Sequence, residues 1–257
     1  MSEPSSEIIA VLSAKSRVDL KQYNVPQLRR RLALLRVKFG FNSMDEYLAA
    51  LKTDSSLVEA TIQRLTIVYT GFFRDKRYWL NLQQAVAELE LVNSGVLKFW
   101  SCGCATGEEA YSLAFMLATL LPTHRYQIYA SDVDKQALAH ARAGLYPSKA
   151  VQEIGVAERS RWFKQKEDGF QVREQFRKRI QFFSHDLHSS HYLQDNHMII
   201  CRNVIIHFNE AAKAKIHQKL AAALVQNGYL FLGATEQILS PEHYNLKPES
   251  LYLYKKL

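Results

Sequence analysis

The stretch from Val96 to Leu121 limits the possible folds more than any other part of this chain. It reads VLKFWSCGCATGEEAYSLAFMLATLL, a short apolar run, a loop of small residues and a longer apolar run that begins at two glutamates. The first run, Val96 to Trp100, has the composition of a buried strand, and the run after Glu108 indicates a helix. Strand, glycine-containing loop and helix N-terminus together are typical of a nucleotide-type binding site in an α/β protein.

The loop differs from the common phosphate-binding fingerprints. Its glycines, Gly103 and Gly107, do not have the G-x-G-x-x-G spacing, and no Lys-Ser/Thr pair follows Gly107 as in a P-loop. Glu108 and Glu109 stand where a pyrophosphate would need N–H groups and positive charge. Acidic residues there favour a ligand that brings hydroxyl, ammonium or sulfonium groups, which points to S-adenosylmethionine.

Composition leaves the type of partner open. The chain has 257 residues, 47% of them hydrophobic, and a formal charge of +8. A basic protein of this size can bury a core and can bind nucleic acid, an anionic membrane or an acidic protein surface.

An odd number of cysteines favours a reducing compartment. The C-x-C at Cys102 and Cys104 lacks the second cluster of a zinc site, so no metal is expected. The polar N-terminus and the lack of a long apolar run predict a cytoplasmic protein without membrane insertion.

Residues 7 to about 93 have the periodicity of helices, including one from about Val25 to Phe39 and one from about Lys76 to Leu91. Capping boxes that mark helix starts are predicted at Ser43 with Glu46 and at Ser56 with Glu59. We therefore predict a helical N-terminal domain and linker over residues 1–92.

From residue 93 onward, strands alternate with helices. Further strands are predicted at about Gln127–Ser131, Met198–Cys201, Tyr229–Leu232 and Leu251–Lys255, and further helices at about Asp134–Ala143 and Glu210–Gln226. This alternation predicts an α/β fold with a doubly wound parallel sheet over residues 93–257. The alternation breaks between Ser148 and Leu187, where the Asp168-Gly169 turn predicts a small antiparallel flap.

The carboxyl ends of the strands supply the site candidates, because open parallel sheets bind ligands there. Asp132 ends the second strand and can accept hydrogen bonds from ribose hydroxyls, while its alternative role as a helix cap is better filled by Asp134. Glu109 lies in the first turn of the helix after the glycines. Arg202 and Asn203 follow a buried strand directly, where a charge and an amide need partners.

Five motifs carry a resemblance to a known family. They are TGFFRD at 70–75, FWSCGCATGEEAYSLA at 99–114, ASDVD at 130–134, CRNVIIHF at 201–208 and GYLFLGATE at 228–236. Their order and sequence resemble chemotaxis protein methyltransferases of the CheR family over residues 8 to 256. The resemblance implies a helical N-terminal domain and a class I methyltransferase domain with a small antiparallel β-subdomain at about 160–185. It also implies methyl transfer from S-adenosylmethionine to glutamate side chains of chemoreceptors, which sets sensory adaptation.

The resemblance further implies which residues form the site. Around the S-adenosyl ligand we expect Thr70, Arg74, Gly103, Glu109, Asp132, Asp186, Leu187, Arg202 and Asn203. Arg74 is our candidate for orienting a carboxylate, and His207, where the family usually has tyrosine, is the second catalytic candidate. Val68 and Asp186 also depart from the family pattern, which has asparagine at both positions.

The helix at Val25–Phe39 carries the predicted surface for the receptor. Its cations are Arg29, Arg30, Arg31, Arg36 and Lys38. We expect them to bind glutamate-rich receptor helices, although a solvated helix face is the simpler explanation. The short Asp168-Gly169 loop predicts that no receptor peptide tethers the protein, and we expect a monomer. Two other functions stay open: a catalytically silent S-adenosylmethionine-binding regulator, because of the departures, and a nucleic-acid methyltransferase, because of the basic charge.

Overall fold

The computed structural model describes residues 4–16, 18–66 and 70–257. Contacts within the chain divide it into two compact units, Met1–Val68 with Ile206–Lys215, and Tyr69–Ile205 with Ile216–Leu257. Among the described residues, no helix is long and apolar enough to cross a membrane, and no group of three or more His, Cys, Asp or Glu side chains is arranged to hold a metal ion. Val68, one of the departures from the family pattern, lies outside the described residues.

Amphipathic helices build the first unit. They are α1 (Pro4–Lys15), α2 (Val25–Lys38), α3 (Met44–Thr53) and α4 (Ser55–Thr66). Helix α2 buries Leu28, Leu32 and Leu35 on one face, as its spacing predicts. It stops before Gly40, which adopts a φ of +83° that a residue with a side chain rarely takes.

The two predicted capping boxes have different outcomes. The Ser43 hydroxyl accepts a hydrogen bond from the Glu46 amide at 3.0 Å, so α3 begins as predicted. The prediction of a capping box at Ser56 was wrong. The Asp54 carboxylate caps this helix, because it accepts hydrogen bonds from the amides of Ser56 and Leu57 at 2.8 and 3.1 Å. Aspartate is a strong N-cap, and here it starts the helix one residue before Ser56.

The second unit alternates helices and strands. In chain order they are α5 (Trp79–Val92), β1 (Leu97–Cys102), α6 (Glu108–Leu120), β2 (Tyr126–Asp132), α7 (Lys135–Ala143), β3 (Leu145–Tyr146), α8 (Val156–Trp162), β4 (Phe163–Lys166), β5 (Gly169–Val172), α9 (Glu174–Arg177), β6 (Ile180–Ser184), β7 (Asn196–Cys201), α10 (Glu210–Ala222), β8 (Leu224–Leu232), β9 (Leu246–Ser250) and β10 (Leu253–Lys256). The contacts assign α5 to this unit, whereas the sequence grouped it with the N-terminal helices, and they divide α10 between the two units.

The main sheet confirms the α/β prediction and adds an antiparallel edge. Among the described residues its seven strands have the order β6-β2-β1-β7-β8-β10-β9. The first five run parallel, while β10 is antiparallel to β8 and to β9. From β1 the chain builds outward through β2 to β6, and then returns to β7 on the other side of β1. The strand order therefore reverses between β1 and β7, which is where open α/β sheets bind ligands.

The small antiparallel sheet has the order β3-β5-β4, and Lys166 pairs with Gly169 across the predicted hairpin turn. The subdomain was predicted to extend to about residue 185. Instead, Ile180–Ser184 pairs in parallel with β2 and completes the edge of the main sheet. Sequence pattern alone did not distinguish a strand of the flap from a strand of the main sheet, because both are short and partly apolar.

Helix α10 was also predicted too long, to about Gln226. It ends at Ala222, and β8 begins at Leu224 beside Asn196 of β7. Hydrogen bonding to β7 outweighs the local helical preference of these residues, as tertiary context commonly does. Aromatic rings fill the core of the second unit: Phe72 and Phe73 pack near Phe115, whose ring stacks on Trp162 at 4.6 Å between centroids.

Candidate active site

The loop after β1 is held against the ends of two neighbouring strands. The Gly103 and Cys104 amides donate to the Ser131 carbonyl at 2.7 and 2.9 Å, and the Ala105 amide donates to Asp132 Oδ2 at 2.8 Å. Gly103 has a φ of +69°, and a Cβ there would overlap the side chain of Val204, just after β7. The loop needs glycine at this position both for its conformation and for this close approach.

Asp132 occupies the predicted place at the end of β2. Its Oδ1 accepts a hydrogen bond from the Asp134 amide at 2.9 Å, while Asp134 itself caps α7 by accepting from Gln136 and Ala137. Burial raises the pKa of Asp132, and the backbone hydrogen bonds oppose that shift. A carboxylate has about four acceptor positions. Asp132 therefore retains acceptor capacity beyond these backbone bonds, as a ligand with hydroxyl groups requires.

The two tandem glutamates of α6 have separate partners. Glu109 accepts a hydrogen bond from the Ser101 hydroxyl at 2.9 Å and lies 3.6 Å from Arg202. Burial raises its pKa, and Arg202 opposes the shift. Glu108 accepts a hydrogen bond from the Thr106 hydroxyl at 2.7 Å. Burial raises its pKa too, against hydrogen bonds from Thr106 and Thr70.

Arg202 is a buried connection between segments of the site. Its side chain is only 3% exposed, and its Nη2 lies 2.7 Å from Asp75 Oδ2. Its Nη1 donates to the Arg74 carbonyl at 3.2 Å, and its guanidinium lies 5.0 Å from the centre of the Phe231 ring. Arg202 thus links residues 74–75 to Glu109 through its two terminal nitrogens. These groups are the kind of partners that a charge after a buried strand requires.

Thr70 and Arg74 line a cavity of about 980 Å³ within the second unit. Trp79 and Trp162 form part of its apolar wall, and Lys76 and Glu153 lie among its polar residues. Arg74 therefore lies on the wall of this cavity, and its carbonyl accepts a hydrogen bond from Arg202.

The turn after β6 lies beside the end of β2. The His185 amide donates to the Asp132 carbonyl at 3.0 Å, and Asp186 Oδ1 accepts from the His188 amide at 2.8 Å. Leu187 is buried, and its carbonyl accepts a hydrogen bond from the Tyr192 hydroxyl at 2.6 Å. Asp186 and Leu187 thus lie at the same edge of the sheet as Asp132.

Glu236, just after β8, is the residue that the sequence analysis quoted within a motif without giving it a role. Its carboxylate accepts hydrogen bonds from the amides of Asn203, Val204 and Ile205 at 2.6, 2.8 and 2.6 Å, and from Gly233 at 2.9 Å. It is only 5% exposed. The available signal was an acid in the short segment after the buried run YLFL, four residues beyond Leu232, since a buried charge requires partners.

His207 belongs to the first unit, unlike the other candidate catalytic residue, Arg74. Its carbonyl accepts a hydrogen bond from the Asn24 amide at 2.8 Å. Among the described residues, neither ring nitrogen has a hydrogen-bond partner. Burial, together with the charge of Arg31, lowers the pKa of His207 to about 4, so its imidazole is neutral at pH 7.

The arginines predicted to bind the receptor also lie in the first unit, on α2, but they do not form one free surface. Arg31 donates to the Arg64 carbonyl at 3.1 Å, and Arg36 donates to the Asn42 carbonyl at 2.6 Å. Arg29 and Arg30 are exposed. Arg31 and Arg36 thus bind backbone carbonyls of the helical unit. Arg29, Arg30 and Lys38 are the exposed cations of the predicted cluster, and Arg29 also donates a hydrogen bond to the Ser6 hydroxyl at 3.2 Å.

The chain is similar to known chemotaxis methyltransferases over nearly all of its length. Residues 69–251 match the model of the CheR methyltransferase SAM-binding domain, and residues 6–66 match that of the CheR all-alpha domain. The chemotaxis protein methyltransferase of Listeria monocytogenes is 36% identical, over 93% of this chain and 92% of its own. The Escherichia coli protein of the same name is 29% identical, over 90% of this chain and 82% of its own.

Similarity to solved structures is more distant. The glycopeptide N-methyltransferase MtfA, solved with S-adenosylmethionine, matches 58% of this chain and 52% of its own at 12% identity and a TM-score of 0.36. That likeness is too distant to indicate a function. Family models that cover most of the chain, together with a relative at 36% identity, establish the relationship instead. The chain belongs to the CheR methyltransferase family.

Proposed function

We propose that this protein transfers methyl groups from S-adenosylmethionine to glutamate side chains of chemoreceptors. The observation that carries the proposal is the pair of partly buried carboxylates, Glu109 and Asp132, at the point where the strand order of the sheet reverses. The match to a SAM-binding domain and the names of the relatives, chemotaxis protein methyltransferase, support it.

The chemistry of the residues in the proposed site fits S-adenosylmethionine. Burial raises the pKa values of Glu109 and Asp132, so hydroxyl donors or a nearby cation would stabilise both carboxylates. We propose that Asp132 accepts the ribose hydroxyls, that Gly103 gives the ligand room, and that Glu109 faces its charged end. Other residues proposed to surround it are Thr70, Arg74, Asp186, Leu187, Arg202 and Asn203. When bound, the cofactor supplies an electrophilic methyl group on a sulfonium.

The acceptor needs positioning more than activation. A glutamate carboxylate is ionised at pH 7 and is itself the nucleophile, so the protein needs no general base. Arg74, on the cavity wall, is proposed to orient a carboxylate, and arginine cannot act as a base. Aligning the reacting groups can lower a barrier by roughly 7–11 kcal/mol. His207, neutral at pH 7, is proposed to donate a hydrogen bond in place of the tyrosine usual in the family.

The receptor is proposed to bind the exposed face of α2. Arg29 and Arg30 are exposed there, beside Leu34 and Val37, which are 64% and 62% exposed. A face with both exposed cations and exposed aliphatic side chains suits a glutamate-rich amphipathic helix, because it offers charge pairing as well as apolar contact.

Transfer of radiolabel from S-adenosylmethionine tests the proposal. We expect base-labile label on a receptor cytoplasmic fragment, because carboxyl methyl esters hydrolyse readily in alkali. Label on nucleic acid would instead support a nucleic-acid methyltransferase. No label on either substrate, with cofactor binding intact, would indicate a silent regulator. The matched control is Asp132→Ala, which should lose both binding and label.

A further inference from the structure

We propose that Glu236 is a positioning residue of the cofactor site, which holds the turn after β7 in its binding conformation. The inference rests on cofactor binding, and not on the identity of the methyl acceptor. It concerns three loops that meet at the carboxyl end of the sheet: those after β1, β7 and β8.

Glu236 binds its neighbours through both carboxylate oxygens. Oε2 accepts from the amides of Asn203 and Gly233 at 2.6 and 2.9 Å, and Oε1 accepts from Val204 and Ile205 at 2.8 and 2.6 Å. Three of these amides are consecutive and belong to the turn after β7. An anionic acceptor suits this arrangement, since charge-assisted hydrogen bonds are stronger than neutral ones.

Glutamate is the side chain that this arrangement requires. Glutamine would present one oxygen and one NH₂ group, and the NH₂ group would face amides that also donate. Gly233 is part of the same arrangement, because a Cβ there would overlap Glu236 Oε2 and lie 3.0 Å from the Asn203 amide nitrogen. Gly233 therefore leaves the space in which the Glu236 carboxylate binds the amides of the turn.

The turn after β7 contributes to two parts of the proposed cofactor site. Asn203 has a φ of +61°, in the left-handed region that asparagine adopts more readily than most residues with a side chain. Val204 packs so close to Gly103 that any side chain at Gly103 would overlap it. Releasing the three amides would therefore free Asn203 and remove the support that Val204 gives to the loop after β1.

The test uses the full chain without any methyl acceptor. We expect Glu236→Gln to weaken S-adenosylhomocysteine binding at least tenfold by calorimetry. In the ligand-free protein, amide hydrogen exchange should speed up at residues 203–205 while exchange in β1 and β2 stays slow. Gly233→Ala should have the same effect, because the added methyl displaces the Glu236 carboxylate.

Glu88→Gln is the matched control. Glu88 accepts hydrogen bonds from the hydroxyl of Tyr229, on β8, and from Lys255 at 3.1 Å, so it also loses a charge-assisted pair on substitution. We expect its affinity for S-adenosylhomocysteine to stay within twofold of the unmodified protein. Affinity within twofold in Glu236→Gln or in Gly233→Ala would overturn the proposal. Faster exchange throughout β1, β2 and β7 would also overturn it, because the carboxylate would then act only on global stability.

Discussion

Asp132 organises the backbone around it, and its carboxylate is also proposed to bind the cofactor. It holds the amides of Ala105 and Asp134 at 2.8 and 2.9 Å, and burial raises its pKa. We expect Asp132→Ala to weaken S-adenosylhomocysteine binding at least tenfold, or about 1.4 kcal/mol, by calorimetry. Asp134→Ala is the control, since it removes a helix cap and leaves the site carboxylate in place. Equal losses in both variants would contradict a ligand role for Asp132.

His207 makes stability depend on pH. Its pKa falls from 6.5 to about 4 on folding, because burial and the charge of Arg31 disfavour the imidazolium. Between these values the unfolded chain binds the proton and the folded chain does not, so the free energy of unfolding decreases as pH falls from about 6.5 to about 4. The full effect is on the order of 3 kcal/mol.

Urea unfolding at a series of pH values measures this effect in the unmodified protein and in His207→Gln. The variant should lose less stability over that pH range, because glutamine does not titrate. His124→Gln, at an exposed position, is the matched control and should follow the unmodified protein. Parallel pH profiles for the unmodified protein and His207→Gln would show that His207 is not kept neutral by its surroundings.

At the scale of elements, α2 stabilises the helical unit, and its exposed residues are the proposed contact for the receptor. Its buried face, with Leu28, Leu32 and Leu35, holds the helical unit together, and Arg31 and Arg36 are bound to backbone carbonyls. Arg29 and Arg30 remain exposed. The proposed receptor contact therefore depends on fewer cations than the sequence predicts.

Reversing the two exposed charges tests that contact. We expect the double variant Arg29→Glu, Arg30→Glu to lower kcat/KM on a receptor fragment about tenfold at low salt, because like charges would then oppose the encounter. S-adenosylhomocysteine affinity should not change. The control reverses Arg161 and Lys247, two exposed cations of the second unit. An equal loss of activity in this control would mean that overall charge, and not α2, attracts the substrate.

At the scale of the whole molecule, the second unit contains all three tryptophans, Trp79, Trp100 and Trp162, and each is buried. Tryptophan fluorescence during urea unfolding therefore reports on this unit. We expect Phe115→Ala to lower its free energy of unfolding by about 3–5 kcal/mol, because Phe115 stacks on Trp162 and packs edge-on against Phe176 at 4.9 Å. Leu91→Ala, at a position that is 86% exposed, should change it by less than about 0.5 kcal/mol. A small effect of Phe115→Ala would show that the surrounding aromatic rings can move to fill the space that the Phe115 ring leaves.

The sequence by itself determined the features that depend on local spacing and residue type. Strand β1, the glycine loop and α6 form where the run from Val96 to Leu121 predicts them, and Asp134 caps α7. Periodicity and capping act between residues close in the chain, so they can be read without a structure. The motifs also identified the family, which the matches to both CheR models confirm.

Only the tertiary structure decided the features that depend on residues distant in sequence. Pairing with β7 ended α10 at Ala222, and pairing with β2 brought Ile180–Ser184 into the main sheet. Long-range hydrogen bonds join Glu236 to amides about thirty residues away along the chain. The physical reason is that a strand partner or a buried carboxylate is satisfied by whichever group the fold brings near it, and local sequence does not specify that group.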